Sequence, residues 1–163
     1  MNTYKVYFGI SVYVITGIAL LISVAPFCYT FCYNTPDKHD LIITLPVAIL
    51  IIGIFVATLL YAPKSYTITP EQIIINKVRG AITINKADVE AIEPLTNKDL
   101  KGCFRKFASG GLFGYIGKFN SYKLGDFYMY AGTFKAQKLL LIRLKNGKRY
   151  VISPARADLQ SVR

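Results

Sequence analysis

Two long runs without a charged side chain constrain this chain more than any other feature. The first extends from Val6 to Phe31 and the second from Leu41 to Tyr61. A helix of about 21 residues at ~1.5 Å per residue is roughly 32 Å long, close to the ~30 Å hydrocarbon core of a bilayer. We therefore expect an N-terminal transmembrane segment, residues 1–63, with helices at about 6–33 and 41–61.

The connection between these runs, "NTPDKHD" at residues 34–40, is long enough only for a hairpin, so the helices should be antiparallel neighbours. Small residues one turn apart, Ala19 with Ser23 and Gly53 with Ala57, permit close helix contact, although chance in an apolar run explains them equally well. A cleaved signal peptide is the alternative for the first run. Its apolar core would be about 7–15 residues behind a basic flank, and this run is far longer.

Charge divides the chain at the same boundary and predicts its orientation. Residues 64–163 carry 18 Lys and Arg against 7 Asp and Glu, whereas residues 1–63 have no net charge. Lys5 precedes the first helix and Lys64 follows the second, while the connection between them carries net negative charge. Under the positive-inside rule we expect a multi-pass protein of the cell membrane, with both termini and the basic segment in the cytoplasm.

Beyond Pro63 the hydrophobic pattern alternates, which is typical of strands. "SYTITPEQIIIN" predicts two strands with a tight turn, and "VRGAITINKADVEAIEPL" predicts two more. "GDFYMYAG" predicts a short strand, and "KLLLIRLKNGKRYVIS" predicts a hairpin across Asn146-Gly147. Ser153 followed by Pro154 can start a short C-terminal helix. We therefore predict that residues 64–163 form an all-β domain with a short terminal helix.

The last hairpin permits a prediction of register. A two-residue turn would pair Lys145 with Lys148, Leu144 with Arg149, Arg143 with Tyr150 and Ile142 with Val151. One face would then be the core, with Leu140, Ile142, Leu144 and Val151. The other face would expose cations opposite one another, which favours an anionic partner or open water. Its candidate binding residues are Arg143, Lys145, Lys148 and Tyr150.

A glycine-rich stretch, "GGLFGYIGK" at residues 110–118, resembles a phosphate-binding loop only superficially. A Walker-type loop needs four residues between its glycines and a hydroxyl after the lysine. Here five residues separate Gly111 from Gly117, and Phe119 stands in the hydroxyl position. We predict a structural loop that exploits positive φ angles, with no nucleotide bound. The structural glycines expected are Gly111, Gly114, Gly117 and, in the hairpin turn, Gly147.

The longer stretch around these glycines supports a second interpretation. Basic and aromatic side chains alternate there, so the loop could lie on an anionic leaflet, where each held cation contributes about 1 kcal/mol. Nucleic acid could use the same residues, but a membrane tether argues against it. The candidate lipid- or partner-binding cations are Lys101, Arg105, Lys106 and Lys118, and the candidate interfacial aromatics are Phe104, Phe107, Phe113 and Tyr115.

The segment "GGLFGYIGKFNSYKLGDFYMYAG", followed by "KLLLIRLKNGKRYVISP", resembles the bacterial PH-domain-like family, whose members are often attached to membrane helices. The resemblance covers about residues 65–160. It implies a PH-like roll of two packed antiparallel sheets closed by a C-terminal helix, and it implies no enzymatic activity. Eukaryotic PH domains grip inositol phosphates with a long basic loop where this chain has a tight turn at Thr69-Pro70-Glu71. Phosphoinositide recognition of that kind is therefore not expected.

Catalytic and metal-binding equipment is sparse. The single histidine, His39, lies beside Asp37 and Asp40 in the connection, and three ligands within four residues match no standard metal spacing. No serine or cysteine has a histidine available on the same side of the membrane. The cysteines, Cys28, Cys32 and Cys103, make no disulfide framework. We expect no enzyme, no metal and no cofactor.

Two functional hypotheses follow. The first is a membrane-anchored, non-enzymatic PH-like module that docks a protein partner or assembles with copies of itself. The second is a basic domain that binds anionic lipid headgroups beside its own anchor. An enzyme acting on a membrane substrate is the poorest hypothesis, because no catalytic constellation supports it.

Overall fold

A computed structural model of the chain describes residues 2–33 and 38–155; at residues 30–33 and 38–41 it describes the backbone alone. Two long helices, α1 (Ile10–Tyr33) and α2 (Lys38–Tyr61), are followed by a β-rich domain. The predicted fold class, two long apolar helices and then a β-rich domain, is confirmed. Residues 34–37 of the predicted connection lie outside the described residues.

Both helices contain a stretch long and apolar enough, by length and composition, to cross a membrane: Ile10–Tyr29 and Ile42–Tyr61. Almost none of either stretch is buried within the chain. The helices do not meet at Gly53 of α2, because a Cβ added there would contact nothing within 4 Å. An apolar cavity of about 300 Å³ separates them instead, lined on the two sides by residues such as Val24 and Ile52.

The β domain consists of two sheets. Four antiparallel strands form the first sheet in the order β1-β2-β3-β4, and six strands form the second in the order β5-β9-β10-β8-β7-β6. Every pair in the second sheet is antiparallel except β8 with β10. The strands of the first sheet are β1 (Asn2–Lys5), β2 (Pro63–Ile68), β3 (Gln72–Lys77) and β4 (Ala81–Asn85). Those of the second are β5 (Val89–Pro94), β6 (Phe104–Gly110), β7 (Tyr115–Ser121), β8 (Gly125–Ala131), β9 (Leu140–Leu144) and β10 (Arg149–Ile152).

The hydrophobic core has two parts, one on each face of the second sheet. Between the sheets, Tyr66, Ile73 and Ile75 pack with Leu140, Ile142 and Ile152. On the opposite face, an aromatic and aliphatic cluster packs beneath the segment that connects β5 to β6. Strand β9 therefore contributes to both parts, and Leu140, Leu141 and Ile142 are all nearly inaccessible to solvent.

The predicted register of the last hairpin is wrong by one residue. Arg149 pairs with Arg143, and Tyr150 pairs with Ile142, so Val151 lies opposite Leu141 rather than Ile142. The cause is a longer loop: the Gly147 N–H donates to the Leu144 carbonyl at 2.9 Å, and Gly147 has a φ of 80°. A turn followed by a left-handed glycine inserts one extra residue, which moves Val151 to the other face of the sheet.

An N-terminal strand that the sequence analysis did not predict joins both sheets. Strand β1 pairs with β2 through Thr3 and Thr67. Tyr7 then donates its N–H to the Ser153 carbonyl, and Gly9 donates to the Gly132 carbonyl, each at 2.8 Å. The first helix consequently begins at Ile10 and not near residue 6. The start of α1 and the end of α2 both enter the domain directly, the latter through Ala62 alone.

The predicted C-terminal helix does not begin at Ser153. Pro154 forms an antiparallel bridge with Val6, and Ala155 donates its N–H to the Lys5 carbonyl, so this backbone is extended. These residues stay extended because they complete the ladder with the N-terminal segment. Residues 156–163 lie outside the described residues, and a helix there stays a prediction.

Candidate interaction surfaces

The domain has two ends with different surroundings. At one, which we call the proximal end, α1 begins, α2 ends, β7 begins and β8 ends. At the other, the distal end, lie the β7–β8 and β9–β10 turns. Strand β7 has 7 residues, so the two ends are separated by roughly 20 Å at about 3.3 Å per residue.

The glycine-rich loop belongs to the proximal end and docks on the helices. The Thr16 hydroxyl accepts the Phe113 N–H at 3.1 Å and donates to the Gly111 carbonyl at 3.3 Å. The Phe113 ring meets Phe55 of α2 edge-on, with centroids 6.0 Å apart. A Cβ at Gly111 would lie 2.5 Å from the Ile15 side chain. The loop therefore contacts the protein's own helices through Thr16, Phe55 and Ile15.

Positive φ angles occur at three glycines of this stretch: 113° at Gly111, 135° at Gly114 and 118° at Gly117. Gly117 is the most constrained, because it lies inside β7 opposite Ala108 of β6. A Cβ there would lie 2.8 Å from the Ala108 Cα and would overlap the Phe107 carbonyl oxygen. Glycine at this position is what allows β6 to pair with β7.

Several of the predicted binding cations lie at the distal end. Lys145 and Lys148 flank the exposed β9–β10 turn, and Lys101 is exposed beside the turn where Gly102 meets Tyr122. Charges that lie ~20 Å from a leaflet interact weakly with it, since the Debye length is about 8 Å at physiological salt. Their distance from the helices argues against the predicted role of these cations on the bilayer.

A row of four side chains crosses the second sheet and includes three of the predicted residues. Phe107 of β6 pairs with Lys118 of β7, Lys118 pairs with Tyr128 of β8, and Tyr128 pairs with Tyr150 of β10. The two tyrosine rings stack with centroids 5.6 Å apart. Phe107 is 90% exposed. We call these four residues the aromatic row.

Lys118 of this row and the neighbouring Lys106 share one carboxylate, that of Asp126. Asp126 accepts ion pairs from Lys106 at 2.7 Å and Lys118 at 2.8 Å, and a hydrogen bond from the Asn120 amide at 2.5 Å. These bonds, the one from Lys106 foremost, hold the pKa of Asp126 well below its usual range. The bond to Asp126 raises the pKa of Lys118. The cluster therefore stays ionised at neutral pH and presents one net positive charge beside the aromatic row.

The remaining predicted side chains are dispersed. The Arg105 guanidinium lies against Gly110 of its own strand, and Arg143 forms an ion pair with Glu93 at 3.3 Å. Phe104 is half exposed at the distal start of β6, while the Tyr115 hydroxyl lies 3.5 Å from Ser11 at the proximal end. The predicted residues thus form no single basic patch.

Comparison with known proteins assigns this architecture to a family. The model of the family described as "Bacterial PH domain" matches residues 64–160, more than half of the chain. The chain belongs to the bacterial PH domain family. The match begins where α2 ends, so the helices and β1 are outside it. Searches of curated proteins and of solved structures found no match.

Three cations at the proximal end of this bacterial PH domain were not among the predicted binding residues. Lys64 is the third residue after α2, and the Lys77 ammonium lies 5.0 Å from the centre of the Tyr61 ring. Arg79 lies in the β3–β4 turn, whose backbone caps α2: the Arg79 N–H donates to the Leu60 carbonyl at 2.9 Å. In the sequence, only the position of Lys64 shortly after the second apolar run could have indicated this site. Lys77 and Arg79 reach the end of α2 because β3 pairs with β2.

A groove of about 570 Å³ lies where the bacterial PH domain meets the two helices. Thr16, which binds the glycine-rich loop, lies on one side of it, and the start of β2 lies on the other. Its lining is apolar apart from Thr16, Lys64 and the hydroxyl of Tyr13. The lining residues are Phe8, Val12, Tyr13, Thr16, Gly17, Leu20, Leu59, Ala62, Pro63, Lys64, Val78 and Phe113.

Within the described part of the chain, no three His, Cys, Asp or Glu side chains are grouped so as to hold a metal. Asp37 lies outside the described residues, and the side chains of Cys32, His39 and Asp40 are not described. The expectation of no metal in the connection therefore stays a prediction. Cys103 is half buried, and burial raises the pKa of its thiol, which disfavours a reactive thiolate.

Proposed function

We propose that this bacterial PH domain is a non-enzymatic docking module, held at the cytoplasmic face of the membrane by α1 and α2. Its docking surface for a protein partner or a second copy is the aromatic row. The observation that carries the proposal is the 90% exposure of Phe107 on an edge strand. Bacterial PH domains are generally non-catalytic, which supports a binding role.

The position of Phe107 suits docking for two reasons. Strand β6 ends the second sheet, so the outer N–H and C=O groups of its backbone are available for an added strand. Large aromatic side chains also dominate the binding energy of many interfaces. The neighbouring Lys118–Asp126 pair supplies charges that can select a complementary partner.

The attachment of the domain to the helices supports an oriented module. Strand β1 and the Ala62 junction leave no free linker on either side of the helical hairpin. The domain therefore keeps a constant orientation relative to the helices, with the β9–β10 turn farthest from them. This geometry supports a platform that faces away from the membrane.

A photocrosslinking amino acid at position 107, in the full-length protein in intact membranes, tests the docking proposal. We expect an adduct that contains either a second copy or another protein, identified by mass spectrometry. The matched control is position 122, where Tyr122 is 88% exposed but lies outside the aromatic row. Unmodified monomer at position 107, or the same adducts at both positions, would refute the proposal.

The orientation is tested separately by thiol labelling. In a chain whose native cysteines are replaced by alanine, Lys145→Cys places one thiol on the exposed β9–β10 turn. We expect a membrane-impermeant maleimide to label it only after the cells are opened. Labelling in intact cells would place the domain outside and contradict the cytoplasmic location.

The alternative function, recognition of anionic lipid headgroups, is favoured by one observation. Lys64, Lys77 and Arg79 lie beside the end of α2, at the level where the predicted bilayer would present its headgroups. The distal cations Lys101, Lys145 and Lys148 contribute little to this function, because of their distance from the helices.

A further inference from the structure

We infer that the groove between the helices and the domain binds one anionic phospholipid, with an acyl chain along α1 and the phosphate held by Lys64, Lys77 and Arg79. This inference rests on the proposed insertion of the helices into a membrane. It deepens the alternative function by assigning it a site and a ligand class that the predicted basic residues did not include.

The groove has the shape and chemistry of an acyl-chain site. It follows α1 from Val12 to Leu20, about 12 Å of helix at 1.5 Å per residue. Leu59 of α2 and Phe113 of the glycine-rich loop also line it. The walls are mostly apolar, and the lining side chains of Tyr13 and Leu20 are 66% and 44% exposed, so a lipid chain can reach the groove from the side.

Lys64 lines this groove, and backbone pairing brings Lys77 and Arg79 to the same end of the domain. Lys64 occupies an irregularity in the β2–β3 ladder, between Pro63, which pairs with Lys77, and Ser65. Arg79 follows two residues after Lys77, in the turn that caps α2. Backbone pairing therefore brings all three to the level of Tyr61, an exposed aromatic of the kind enriched at membrane interfaces.

These cations are not used for ion pairs with the described residues. The four ion pairs of the described chain involve Lys106, Lys118, Lys123 and Arg143. Asp99 pairs with Lys123 at the distal end, and Asp126 pairs with Lys106 and Lys118 at the aromatic row, so neither carboxylate is paired with a proximal cation. Positive charge at the proximal end is thus left for an external anion.

An anionic phospholipid fits this combination better than a zwitterionic one. Its acyl chain matches the apolar groove, and its phosphate matches the cations at the groove's interfacial end. A zwitterionic headgroup carries its own cation close to the phosphate, which three neighbouring positive charges disfavour. The three cations therefore select the lipid headgroup, and the apolar groove binds the acyl chain.

A tryptophan reporter tests the site, because the natural chain contains no tryptophan. Leu20→Trp places the reporter in the groove. Leu21→Trp is the matched control, because Leu21 lies at the same depth, is 72% exposed and does not line the groove. The full-length variants are reconstituted in phosphatidylcholine vesicles with a minor fraction of phosphatidylglycerol. One of the two lipids carries brominated acyl chains that quench tryptophan on contact.

We expect brominated phosphatidylglycerol to quench the Leu20→Trp reporter as though enriched at least about threefold over its bulk fraction. The Leu21→Trp reporter should follow the bulk composition. Replacing Lys64, Lys77 and Arg79 together by Gln should abolish the enrichment. The same loss of charge at the distal end, by changing Lys101, Lys145 and Lys148 to Gln, should leave it unchanged.

Equal quenching of the Leu20→Trp reporter by both lipids at their bulk fractions would overturn the inference. A second result would also overturn it: neither lipid quenches the Leu20→Trp reporter, while the Leu21→Trp reporter is quenched. In that case protein, such as a second copy of the chain, would cover the groove. If neither reporter is quenched, the helices are not in lipid, and the failure belongs to the proposed anchoring itself.

Discussion

The side-chain hydroxyl of Thr16, in the second turn of α1, accepts the backbone N–H of Phe113 at 3.1 Å although 97 residues separate them. The same hydroxyl donates to the Gly111 carbonyl. One side chain of a predicted membrane helix thereby satisfies two backbone groups of a β-domain loop. This contact fixes how the glycine-rich loop lies against the helices.

Thr16→Val should release this loop while preserving the shape of the side chain. The loss leaves the Phe113 N–H and the Gly111 carbonyl without the hydroxyl, at a cost of about 1–2 kcal/mol. We expect faster hydrogen exchange at the Phe113 amide in detergent-solubilised protein. Thr58→Val is the control, because the Thr58 hydroxyl donates only to the Ile54 carbonyl of its own helix, at 2.7 Å. Equal exchange in both variants would contradict the role assigned to Thr16.

Gly117→Ala should destabilise the domain by about 2–4 kcal/mol, because it adds backbone strain and a steric clash with β6. The readout is the midpoint of thermal unfolding. Gly80→Ala separates the two causes: Gly80 also has a positive φ, 77°, but an added Cβ there would contact nothing within 4 Å. That control should cost only about 1–2 kcal/mol. Similar losses in the two variants would show that the clash with Ala108 is relieved by movement.

Tyr66→Phe should destabilise the junction of the two sheets. The buried Tyr66 hydroxyl donates to the Tyr130 carbonyl at 2.6 Å and accepts the Ser153 N–H at 3.1 Å. Leaving both groups without this partner costs about 1–3 kcal/mol. Thermal unfolding at neutral pH measures the loss, and Tyr122→Phe, at an exposed position, should have almost no effect.

The same tyrosine predicts a response to alkali. Burial raises the pKa of Tyr66 from its ordinary value of 10.0 to about 12. A raised pKa contributes stability that is fully present below pH 10 and is lost as the pH rises toward 12, because the unfolded chain then ionises first. Tyr66→Phe should therefore show a shallower decline in stability over this range. If the loss of stability between pH 10 and 12 is the same in Tyr66→Phe, it must come from other tyrosines, such as Tyr130.

Asp99→Asn should alter stability in acid. Bonds from Lys123 at 2.5 Å and from the Thr96 hydroxyl at 2.6 Å lower the pKa of Asp99 to about 2, from 3.8. A lowered pKa contributes stability that is present above about pH 4 and is lost as the pH falls toward 2. The variant should be less stable at pH 7 and should decline less between pH 4 and 2. Asp88→Asn, at an exposed position, should keep the natural decline.

The partner surface could be anticipated only in part. Phe107, Lys118 and Tyr150 were all selected from the sequence as binding candidates, but for two separate reasons, a basic loop and a hairpin face. Their alignment in one row depends on the pairing of β6, β7, β8 and β10, which are distant along the chain. The pairing of Lys106 and Lys118 with one carboxylate, Asp126, likewise has no local signal.

The sequence alone determined the two apolar helices, the β-rich domain that follows them and the turn at Gly147, because apolar run length, alternation and turn residues are local properties. Tertiary structure alone decided that β1 joins β2, that the hairpin register shifts by one residue, and that Thr16 holds the glycine-rich loop. Each of these depends on contacts between segments far apart in the chain, where packing and hydrogen-bond satisfaction outweigh local preference.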